Sequence, residues 1–509
     1  MRMPVGKILL AKYLLLAVAT AACAPRTVEN PTCYGGENCI GSPCTGESAD
    51  FLRPEGWGAL SHCGGAAPDY AQLFADSDPA TMTVHRFDIS ISEEVYQQTM
   101  ADLEGLFGAQ TCSGPPPPPG APVEGDPMWA PVDVHYNGET WWRVGMRYKG
   151  NSSLRLAWLR CKQKLAFRLD FDQYEDLYPS LNNQRFFGFK KMTFANAFGD
   201  PSMMRDKLAA DIFRRSGIPA ARGAFARVYV TIGEAEPVYF GLYTMIEDPS
   251  NRMLDSQFVD DGGNLYKPES KGPSTAGKWG ADATAEQIQN DFVKKTNEEF
   301  ADWSDVTAAI DALHDGRRLT SPAQWRANLE DYFNVDGFLN QFAVGQAMVN
   351  WDSYGCIAHN YYLYADVGDA TASAPLGRLT WFPWDLNQAM QIGGICDYSS
   401  QEALIPDAAV IGDAWPLIRY LLDDATYLQT YKDYLAATIS QGGAFDATWV
   451  KARIDAYHDL VAPYVMGPEA VEQAPYSFLR DTAAFDNAAV GLREHVDRRA
   501  LLVRTVLGL

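Results

Sequence analysis

The sequence predicts an α+β protein in which strands dominate the first half and helices dominate the second. Three observations support this prediction. Alternating apolar segments joined by short turns recur up to residue 247, apolar residues at helical spacing dominate beyond a Gly/Lys-rich loop at 267–281, and 47% of the 509 residues are hydrophobic. A chain of this length can bury a large core and has room for two or more domains.

Local patterns define the elements of the first half. Alternating apolar residues between Val84 and Ile89 predict a strand, and Ser92 is placed to cap the helix that follows. The turn "YNGE" joins two strands, because Asn-Gly supplies the positive φ of a tight hairpin. Strands are also predicted in "KLAFRLDF" and "FGFKKMTFANA", and a second hairpin in "AFARVYVTIG" with "PVYFGLYTMIE". The helix before this hairpin is predicted to have Pro201 in its first turn and to end at Gly217.

The second half has mostly helical periodicity. "FNVDGFLNQFAVGQAMVN" predicts a helix, and two strands, "HNYYLYAD" and "RLTWFPWDL", then interrupt the helical pattern. From about residue 413 the spacing of apolar residues is helical to the end. We therefore expect residues 401–509 to form a helical C-terminal extension of a core that spans 82–400.

The first 23 residues are typical of an export signal. Basic residues precede an apolar stretch that is too short to span a bilayer stably and is interrupted by Lys12. The sequence "TAAC" resembles a lipobox, in which Cys23 would be acylated, and cleavage of an ordinary signal near Ala22 is the alternative. We expect an exported protein that is either a bacterial lipoprotein, held at the membrane by its lipid, or a secreted protein.

The nine cysteines fit an exported protein. With Cys23 reserved for lipid, eight remain, and an even number outside the cytoplasm predicts disulfides. None of them forms the CxxC pair that zinc sites use. Residues 24–80 are rich in Gly, Pro, Ser and Cys, and we expect a surface linker without a core of its own. Its four cysteines, from Cys33 to Cys63, are expected to form disulfide bridges within this linker. The sequence leaves the pairing of the cysteines open.

The charge of the chain argues against a nucleic-acid partner. Asp and Glu total 64 against 42 Lys and Arg, which gives a formal net charge of -22. A protein with this charge repels phosphate backbones, whereas its carboxylates are available to divalent cations. The sequence also lacks GxSxG and HExxH, and its seven histidines form no close pair, so serine hydrolase and zinc hydrolase chemistry lack their residues.

Phosphoryl transfer fits the remaining pattern. Cations and backbone N–H groups hold phosphates in such sites, while carboxylates bind Mg²⁺ and orient the acceptor hydroxyl. In "RYKGNSS", Lys149 adds charge, Gly150 lets the backbone approach a ligand and Ser152 can donate to phosphate oxygens. A hairpin turn with solvated cations is the alternative for this segment.

Two further basic positions fit the same chemistry. Alternation places Lys164 opposite the apolar face of its strand, where it could reach phosphates. Arg205 and Asp206 lie in the first turns of the helix predicted from Pro201, near phosphates if that helix packs against the loop. Ordinary surface charges are the alternative for all three residues.

Two aspartates are placed in unusually apolar surroundings. Asp352 follows "GQAMVNW" and Asp385 follows "TWFPW". A buried carboxylate must be paired, hydrogen-bonded or bound to metal, because burying it alone costs several kcal/mol. Each aspartate alone fits a capping role, but with Asn360 between them they predict a metal-binding and catalytic pair.

These segments together resemble a known family. "MRYKGNSS", "FGFKKMTFANAFGDPSMMRDKLAADIFRRSGIPAAR", "VYFGLYTMIED", "GNLYK", "NWDSY" with "HNYYLY", and "FPWDLNQAM" occur in the order found in the CotH-type family, the spore-coat-protein-H kinases. The resemblance covers roughly residues 82–400. It implies an atypical protein-kinase-like, two-lobed fold, binding of ATP with Mg²⁺ or Mn²⁺, and phosphorylation of Ser or Thr on secreted or coat proteins.

The resemblance also implies roles for individual residues. Asp352 would orient the acceptor hydroxyl, and Asp385 would hold Mg²⁺ with Asn360 as its partner. The nucleotide-contacting positions would be those of the phosphate loop, the strand lysine, the helix beside the nucleotide and the hinge, namely Lys149, Asn151, Ser152, Lys164, Arg205 and Glu247.

Three functions agree with these residues. The first is a kinase that phosphorylates a protein of the envelope or extracellular space. The second is a non-catalytic surface or coat scaffold that retains the fold. The third is transfer of a nucleotidyl group, which the same residues support if ATP binds in reverse. The acceptor and the oligomeric state are not specified by the sequence.

Overall fold

The computed structural model describes residues 39–48, 50–75, 81–113, 125–269, 274–391, 404–405 and 411–509. The predicted export signal at 1–23, with the predicted lipidation site Cys23, lies outside these residues. The content of helices and strands confirms the α+β prediction. Among the described residues, no helix combines the length and apolar character needed to cross a membrane.

Thirteen strands form three sheets, of which the largest is a closed barrel with the strand order β3-β4-β5-β6-β7-β9-β8. Neighbouring barrel strands are antiparallel, except for the parallel pair β3 and β8. The small sheet comprises β1 (Cys39–Gly41) and β2 (Leu52–Pro54), and the barrel comprises β3 (His85–Ile91), β4 (Ala130–Tyr136), β5 (Glu139–Tyr148), β6 (Phe167–Asp170), β7 (Lys191–Ala195), β8 (Gly223–Ile232) and β9 (Val238–Glu247).

The third sheet is antiparallel and has the order β11-β10-β12-β13. Its strands are β10 (Leu265–Pro268), β11 (Phe292–Lys294), β12 (Tyr361–Asp366) and β13 (Arg378–Pro383). One face carries Tyr266, Leu363 and Trp381 into the large helical core. The other face carries Leu265, Tyr362 and Phe382 into a smaller apolar cluster with Leu254 and with Ile246 of β9.

Helices connect the sheets and make up most of the second half. They are α1 (Tyr70–Leu73), α2 (Glu93–Phe107), α3 (Ser152–Leu159), α4 (Arg205–Arg215), α5 (Leu254–Gln257), α6 (Ala285–Asp291), α7 (Ser304–Leu313), α8 (Arg317–Thr320), α9 (Pro322–Tyr332), α10 (Val335–Met348), α11 (Pro416–Asp423), α12 (Ala425–Ile439), α13 (Ala447–Val465) and α14 (Thr482–Leu507). The four helices at the end share a single hydrophobic core with α4 and α10.

Aromatic side chains fill the barrel. Phe167 and Phe194 stack with their ring centroids 4.6 Å apart, and Phe87 meets Phe194 edge-on at 4.9 Å. The burial of β4 alternates along the strand, as the period of two requires. At the turn after β4, Asn137 and Gly138 have φ values of 49° and 83°, which confirms the hairpin predicted from Asn-Gly.

Two predicted features of the first half are wrong. Helix α4 begins at Arg205, not near Pro201, because the Asp200 carboxylate accepts hydrogen bonds from the N–H groups of Ser202 and Arg205 and so closes a separate turn first. The alternative of a hairpin turn for "RYKGNSS" is also wrong, since the segment enters α3 directly. The predicted cap of α2 is confirmed, because the Ser92 hydroxyl accepts from the N–H of Val95.

The described part of the segment predicted as a linker packs against the barrel. A disulfide joins Cys44 to Cys63, and both cysteines pack with Trp57 and Leu181 in a small apolar cluster. The His62 ring stacks on Trp141 of the barrel with centroids 4.5 Å apart. The bridge and these ring contacts therefore fix residues 50–75 to the barrel, which a Gly/Pro-rich composition alone does not predict. A second disulfide, Cys112–Cys161, precedes β6.

Candidate active site

A cavity open to solvent lies between the outer surface of the barrel, helix α4 and the segment that follows β13. Small residues of the barrel and of α4, such as Ala195, Ala210 and Gly223, leave the space. Three charged side chains line it, namely Lys149, Asp206 and Asp385. The cavity thus brings together one cation and two carboxylates from three distant parts of the chain.

Lys149 reaches the cavity because β5 ends immediately before it. Its backbone N–H still donates to the Ala166 oxygen at 2.9 Å, and Gly150 then turns the chain with a φ of 116°. The Lys149 amine lies 5.4 Å from the centre of the Trp384 ring. The pKa of Lys149 is lowered to about 8, chiefly by burial and in part by the charge of Arg168, while the charge of Asp385 opposes the shift. Within the described residues this amine forms no ion pair.

Asp385 is held by the backbone on either side of it. It has a φ of 56°, in the left-handed region, two residues after β13 ends at Pro383. The N–H of Trp384 donates to the Asn360 oxygen at 3.1 Å, and the N–H of Leu386 donates to Asp206 Oδ1 at 3.1 Å. These two bonds present the Asp385 side chain to solvent at the mouth of the cavity.

Asp352 and Asn360 lie in the loop between α10 and β12. Asn360 has a φ of 62°, and its side-chain Nδ2 donates to the backbone oxygen of Asp352 at 2.9 Å. Burial raises the pKa of Asp352 to about 7, the charge of Asp385 adds to the shift, and a hydrogen bond from Asn360 opposes it. The two predicted catalytic aspartates are therefore close enough to repel each other.

Asp206 is a third carboxylate of the site and was assigned only as a first-turn charge on the sequence. Burial raises its pKa to about 8, and the charges of Asp385 and Asp200 add to that shift. Its oxygen also accepts from the backbone beside Asp385, so α4 fixes the position of the Asp385 segment. The available signal for Asp206 was its place on a helix whose other residues are nearly all buried. Its hydrogen-bond partner, the N–H of Leu386, is 180 residues away in the chain.

The side chains present suit a hard divalent cation. Asp385, Asp352 and Asn360 all offer oxygen donors, and the mutual repulsion of the carboxylates would be relieved by a cation between them. In the part of the chain that the structure describes, no group of three His, Cys, Asp or Glu side chains is arranged to hold a metal ion by itself. Mg²⁺ does not need such a group, because it uses one or two carboxylates together with water and substrate phosphates.

The structure places two predicted nucleotide contacts outside the cavity, and we correct both assignments. Lys164 is fully buried and its Nζ lies 2.6 Å from Glu472 in the segment after α13, so its charge is already neutralised within the fold. Glu247 is also fully buried and accepts from the N–H of Arg222 at 2.7 Å and from its guanidinium group at 3.3 Å. Neither side chain lines the cavity.

The other three predicted contacts lie at the edges of the site. Asn151 and Ser152 form the solvent-exposed start of α3, directly after Lys149 and Gly150. The Arg205 guanidinium donates to the Gly199 oxygen at 3.3 Å and to Gln391 at 3.0 Å, next to Asp206 but held by protein partners. The structure therefore brings together Lys149, Asp352, Asn360 and Asp385, and adds Asp206 to them.

This geometry defines a class of protein. It has a mixed α/β fold with a carboxylate-rich cleft between a barrel and the third sheet. The chain belongs to the CotH family, because the model of the family described as "CotH kinase protein" matches residues 146–503. The matched range contains every predicted site residue except Cys23, and it includes the C-terminal helices.

Three relatives are similar to the chain at low identity. The inner spore coat protein H of Bacillus subtilis is 23% identical over 328 residues, which cover 64% of this chain and 80% of that protein. The Invasin CotH7 of Rhizopus delemar is 22% identical over 280 residues, covering 54% of this chain and 43% of the relative. The spore coat protein homolog 1 of the same fungus is 23% identical over 282 residues, covering 54% and 42%. The chain thus spans less than half the length of the two fungal relatives.

Proposed function

We propose that this protein is an ATP-dependent kinase that transfers the γ-phosphate of ATP to a Ser or Thr hydroxyl of a protein outside the cell or in its envelope. The observation that carries the proposal is the convergence on one cavity of Lys149, which forms no ion pair among the described residues, with the carboxylates of Asp206 and Asp385. Charged groups with shifted pKa values that meet in a cavity are characteristic of functional sites. The description of the family as a CotH kinase protein agrees with this function, which implies a kinase-like, two-lobed arrangement of the barrel and the helical region.

Each residue has a role that its position suits. Lys149 binds phosphate oxygens, and Asp385 with Asn360 holds Mg²⁺ or Mn²⁺. A metal ion held by these residues would supply positive charge that stabilises the phosphates during transfer. Asp352 orients the acceptor hydroxyl and accepts its proton, for which a pKa raised to about 7 is well matched at neutral pH. The hydroxyl oxygen then bonds to the γ-phosphorus as the bond to the β–γ bridging oxygen breaks, and ADP leaves.

The acceptor and location follow from two observations. The relatives carry the names spore coat protein and invasin, which denote proteins that act at surfaces. The first 23 residues of this chain are typical of an export signal. We propose that the protein is exported, held at the membrane through Cys23 or secreted, and that its acceptor is a protein of the same compartment.

A non-catalytic coat scaffold is the second candidate function. The relative with the longest alignment is named for its place in the spore coat and not for a reaction. In a scaffold, the carboxylates of the cleft would only organise the loops around Asp352 and Asp385.

Thermal unfolding of the signal-free protein in titrations with ATP, with and without Mg²⁺, tests the proposal. A ligand at 100 times its Kd stabilises the native state by about 2.7 kcal/mol, a readily measured shift. We expect stabilisation that requires Mg²⁺. If millimolar ATP has no effect on the unfolding temperature with or without Mg²⁺, the kinase proposal is wrong and the scaffold is favoured.

Variants of the two aspartates separate binding from transfer. Asp385→Asn should abolish Mg²⁺-dependent ATP binding, because it removes a charged metal ligand. Asp352→Asn should retain binding and lose transfer by about 10²- to 10⁴-fold, the usual contribution of a general base. Asp311→Asn, an exposed aspartate on α7, is the matched control and should behave like the wild type. Wild-type behaviour of both site variants would show that the roles assigned to these aspartates are wrong.

A further inference from the structure

The third sheet carries Lys267 and, directly after β11, Lys295, which lies within electrostatic reach of Arg168 on the barrel. Leu265 pairs with Tyr364 across β10 and β12, and Tyr266 pairs with Leu363, so Lys267 lies beside Tyr362. The N–H of Lys295 donates to the Leu265 oxygen at 2.8 Å. Because side chains alternate between faces, Lys267, Lys295 and Tyr362 share the face that packs toward the barrel.

The barrel contributes a cation to the same region. Arg168 of β6 forms an ion pair with Asp248 at 3.3 Å, at the end of β9. Its Nε is buried and has no hydrogen-bond partner within the described ranges. Arg168 acts electrostatically on both Lys149 and Lys295, which places it between the cavity and the third sheet.

Tyr362 contributes a hydroxyl to the same region. The residue is 4% exposed, and its ring lies against Phe382 at 5.3 Å and against Trp384 at 5.5 Å. The charges of Asp248, Arg168 and Glu269 act on the Tyr362 hydroxyl, but this hydroxyl forms no hydrogen bond with any described residue. A phenol that rests on aromatic rings and has no protein hydrogen-bond partner is available to donate to a ligand.

The acidic neighbours of this group are already engaged or exposed. Glu269 pairs with Lys267 at 2.6 Å, and Asp248 pairs with Arg168 and accepts from the N–H of Ser250. Glu298 near Lys295 is solvent-exposed. Lys295 itself is half-buried and has no ion pair in the part of the chain described. The groups left over, namely the Lys295 amine, the Arg168 Nε–H and the Tyr362 O–H, are all hydrogen-bond donors.

We propose that Lys295, Arg168 and Tyr362 form an anion-binding subsite that holds a phosphate group beside the catalytic cavity. A phosphate offers several acceptor oxygens, which suits donors that come from both the barrel and the third sheet. The anion-binding subsite itself does not depend on the proposed kinase function. Only the identity of the molecule that carries the phosphate rests on that function. That molecule is either the nucleotide or an acceptor protein that is already phosphorylated.

Calorimetric titration of the metal-free, signal-free protein with pyrophosphate tests the subsite directly. We expect Lys295→Ala to weaken pyrophosphate binding at least 10-fold and Tyr362→Phe to weaken it several-fold. Lys432→Ala on α12, which removes a half-buried lysine far along the chain, is the control and should bind like the wild type. Equal affinity for Lys295→Ala and Lys432→Ala, or no binding by the wild type, overturns the proposal. The Tyr362→Phe variant keeps the test valid if Lys295→Ala does not fold.

The source of the phosphate is identified by the same variant. If the subsite holds nucleotide phosphates, Lys295→Ala weakens the binding of ATP more than that of AMP. If it holds a phosphorylated acceptor, the variant leaves ATP binding unchanged and weakens the binding of a phosphoserine peptide. Failure of the kinase function is distinguishable from failure of the subsite, because Asp385→Asn should lose Mg²⁺-dependent ATP binding and keep metal-free pyrophosphate binding.

Discussion

Two lysines on either side of α3 show two uses of a buried cation. Lys149 faces a cavity, and its amine has no ion-pair partner within the described ranges. Lys164 is fully buried in the protein with Glu472, which is itself fully buried. The sequence assigned both lysines to a nucleotide. Their surroundings indicate that an unpaired lysine at a cavity is available to a ligand, whereas a paired and enclosed lysine holds the fold together.

The partner of Lys164 belongs to a junction between the barrel and the helical C-terminal region. Glu472 lies between α13 and α14, and its Oε1 accepts from Lys164 Nζ and from the N–H of Leu242, each at 2.6 Å. Nearby, the Lys162 amine donates to the Ser477 oxygen at 2.8 Å. This junction joins parts of the chain about 300 residues apart and lies outside the lining of the cavity.

The largest effect that separates the two lysines is expected on stability. Lys164→Met leaves Glu472 as an uncompensated buried charge, which should lower the free energy of unfolding by about 3 to 5 kcal/mol. Urea unfolding followed by fluorescence measures this change. A decrease below 1 kcal/mol would show that the pair is not buried in solution.

A double variant controls for the loss of lysine packing. Adding Glu472→Leu to Lys164→Met removes the orphaned charge and should recover most of the lost stability, because apolar replacements of a buried pair are often neutral. If the double variant is as unstable as the single one, the effect of Lys164→Met comes from packing and not from the charge.

The elements of the fold were predictable where the signal is local. The Asn-Gly turn, the Ser92 cap and the hairpin of β8 and β9 depend on neighbours in the chain, and each appears in the structure. Closure of the barrel depends instead on the parallel pairing of β3 with β8, which are far apart in sequence. No local pattern specifies that pairing.

The site was predictable in its residues and not in its partners. Asp352, Asn360 and Asp385 stood out because polar residues interrupt apolar segments, and these three lie together in the structure. Lys164 and Glu247 have the same local character, but their partners Glu472 and Arg222 are supplied by tertiary structure. A single sequence cannot tell a paired charge from a free one.

A glycine at the junction provides a smaller test. Gly241 has a φ of 114°, and a Cβ there would lie 2.6 Å from the Glu472 Oε1 and 2.9 Å from the Lys164 Cε. Gly241→Ala should lower the free energy of unfolding by about 1 to 3 kcal/mol more than a matched control, because the buried pair must shift. Gly138→Ala is that control, since Gly138 has a φ of 83° and no atom within 4 Å of the added carbon. Equal losses for both variants would mean that the junction tolerates the added carbon.

The smallest expected effect concerns Lys149 and has the opposite sign. The pKa of this lysine is lowered to about 8 by burial and by Arg168, so below pH 8 the folded protein holds a poorly solvated charge. Between pH 8 and the ordinary lysine pKa the unfolded chain binds more protons, and the stability of the wild type rises with pH. Lys149→Met lacks this charge. It should be more stable than the wild type by about 1 kcal/mol at pH 7, with the difference vanishing above pH 10.5.

The comparison of Lys149 with Lys164 also requires that Lys149→Met binds ATP more weakly than the wild type. Lys149→Met should weaken ATP binding by about 10- to 100-fold, because one charge-assisted hydrogen bond to phosphate contributes roughly 1.5 to 3 kcal/mol. Unfolding curves at several pH values, with and without ATP and Mg²⁺, measure both effects on one protein. Lower stability than the wild type at pH 7 would place Lys149 with Lys164 among the residues that hold the fold. Greater stability together with weaker binding fits a lysine whose unfavourable burial is retained for the phosphate that it contacts.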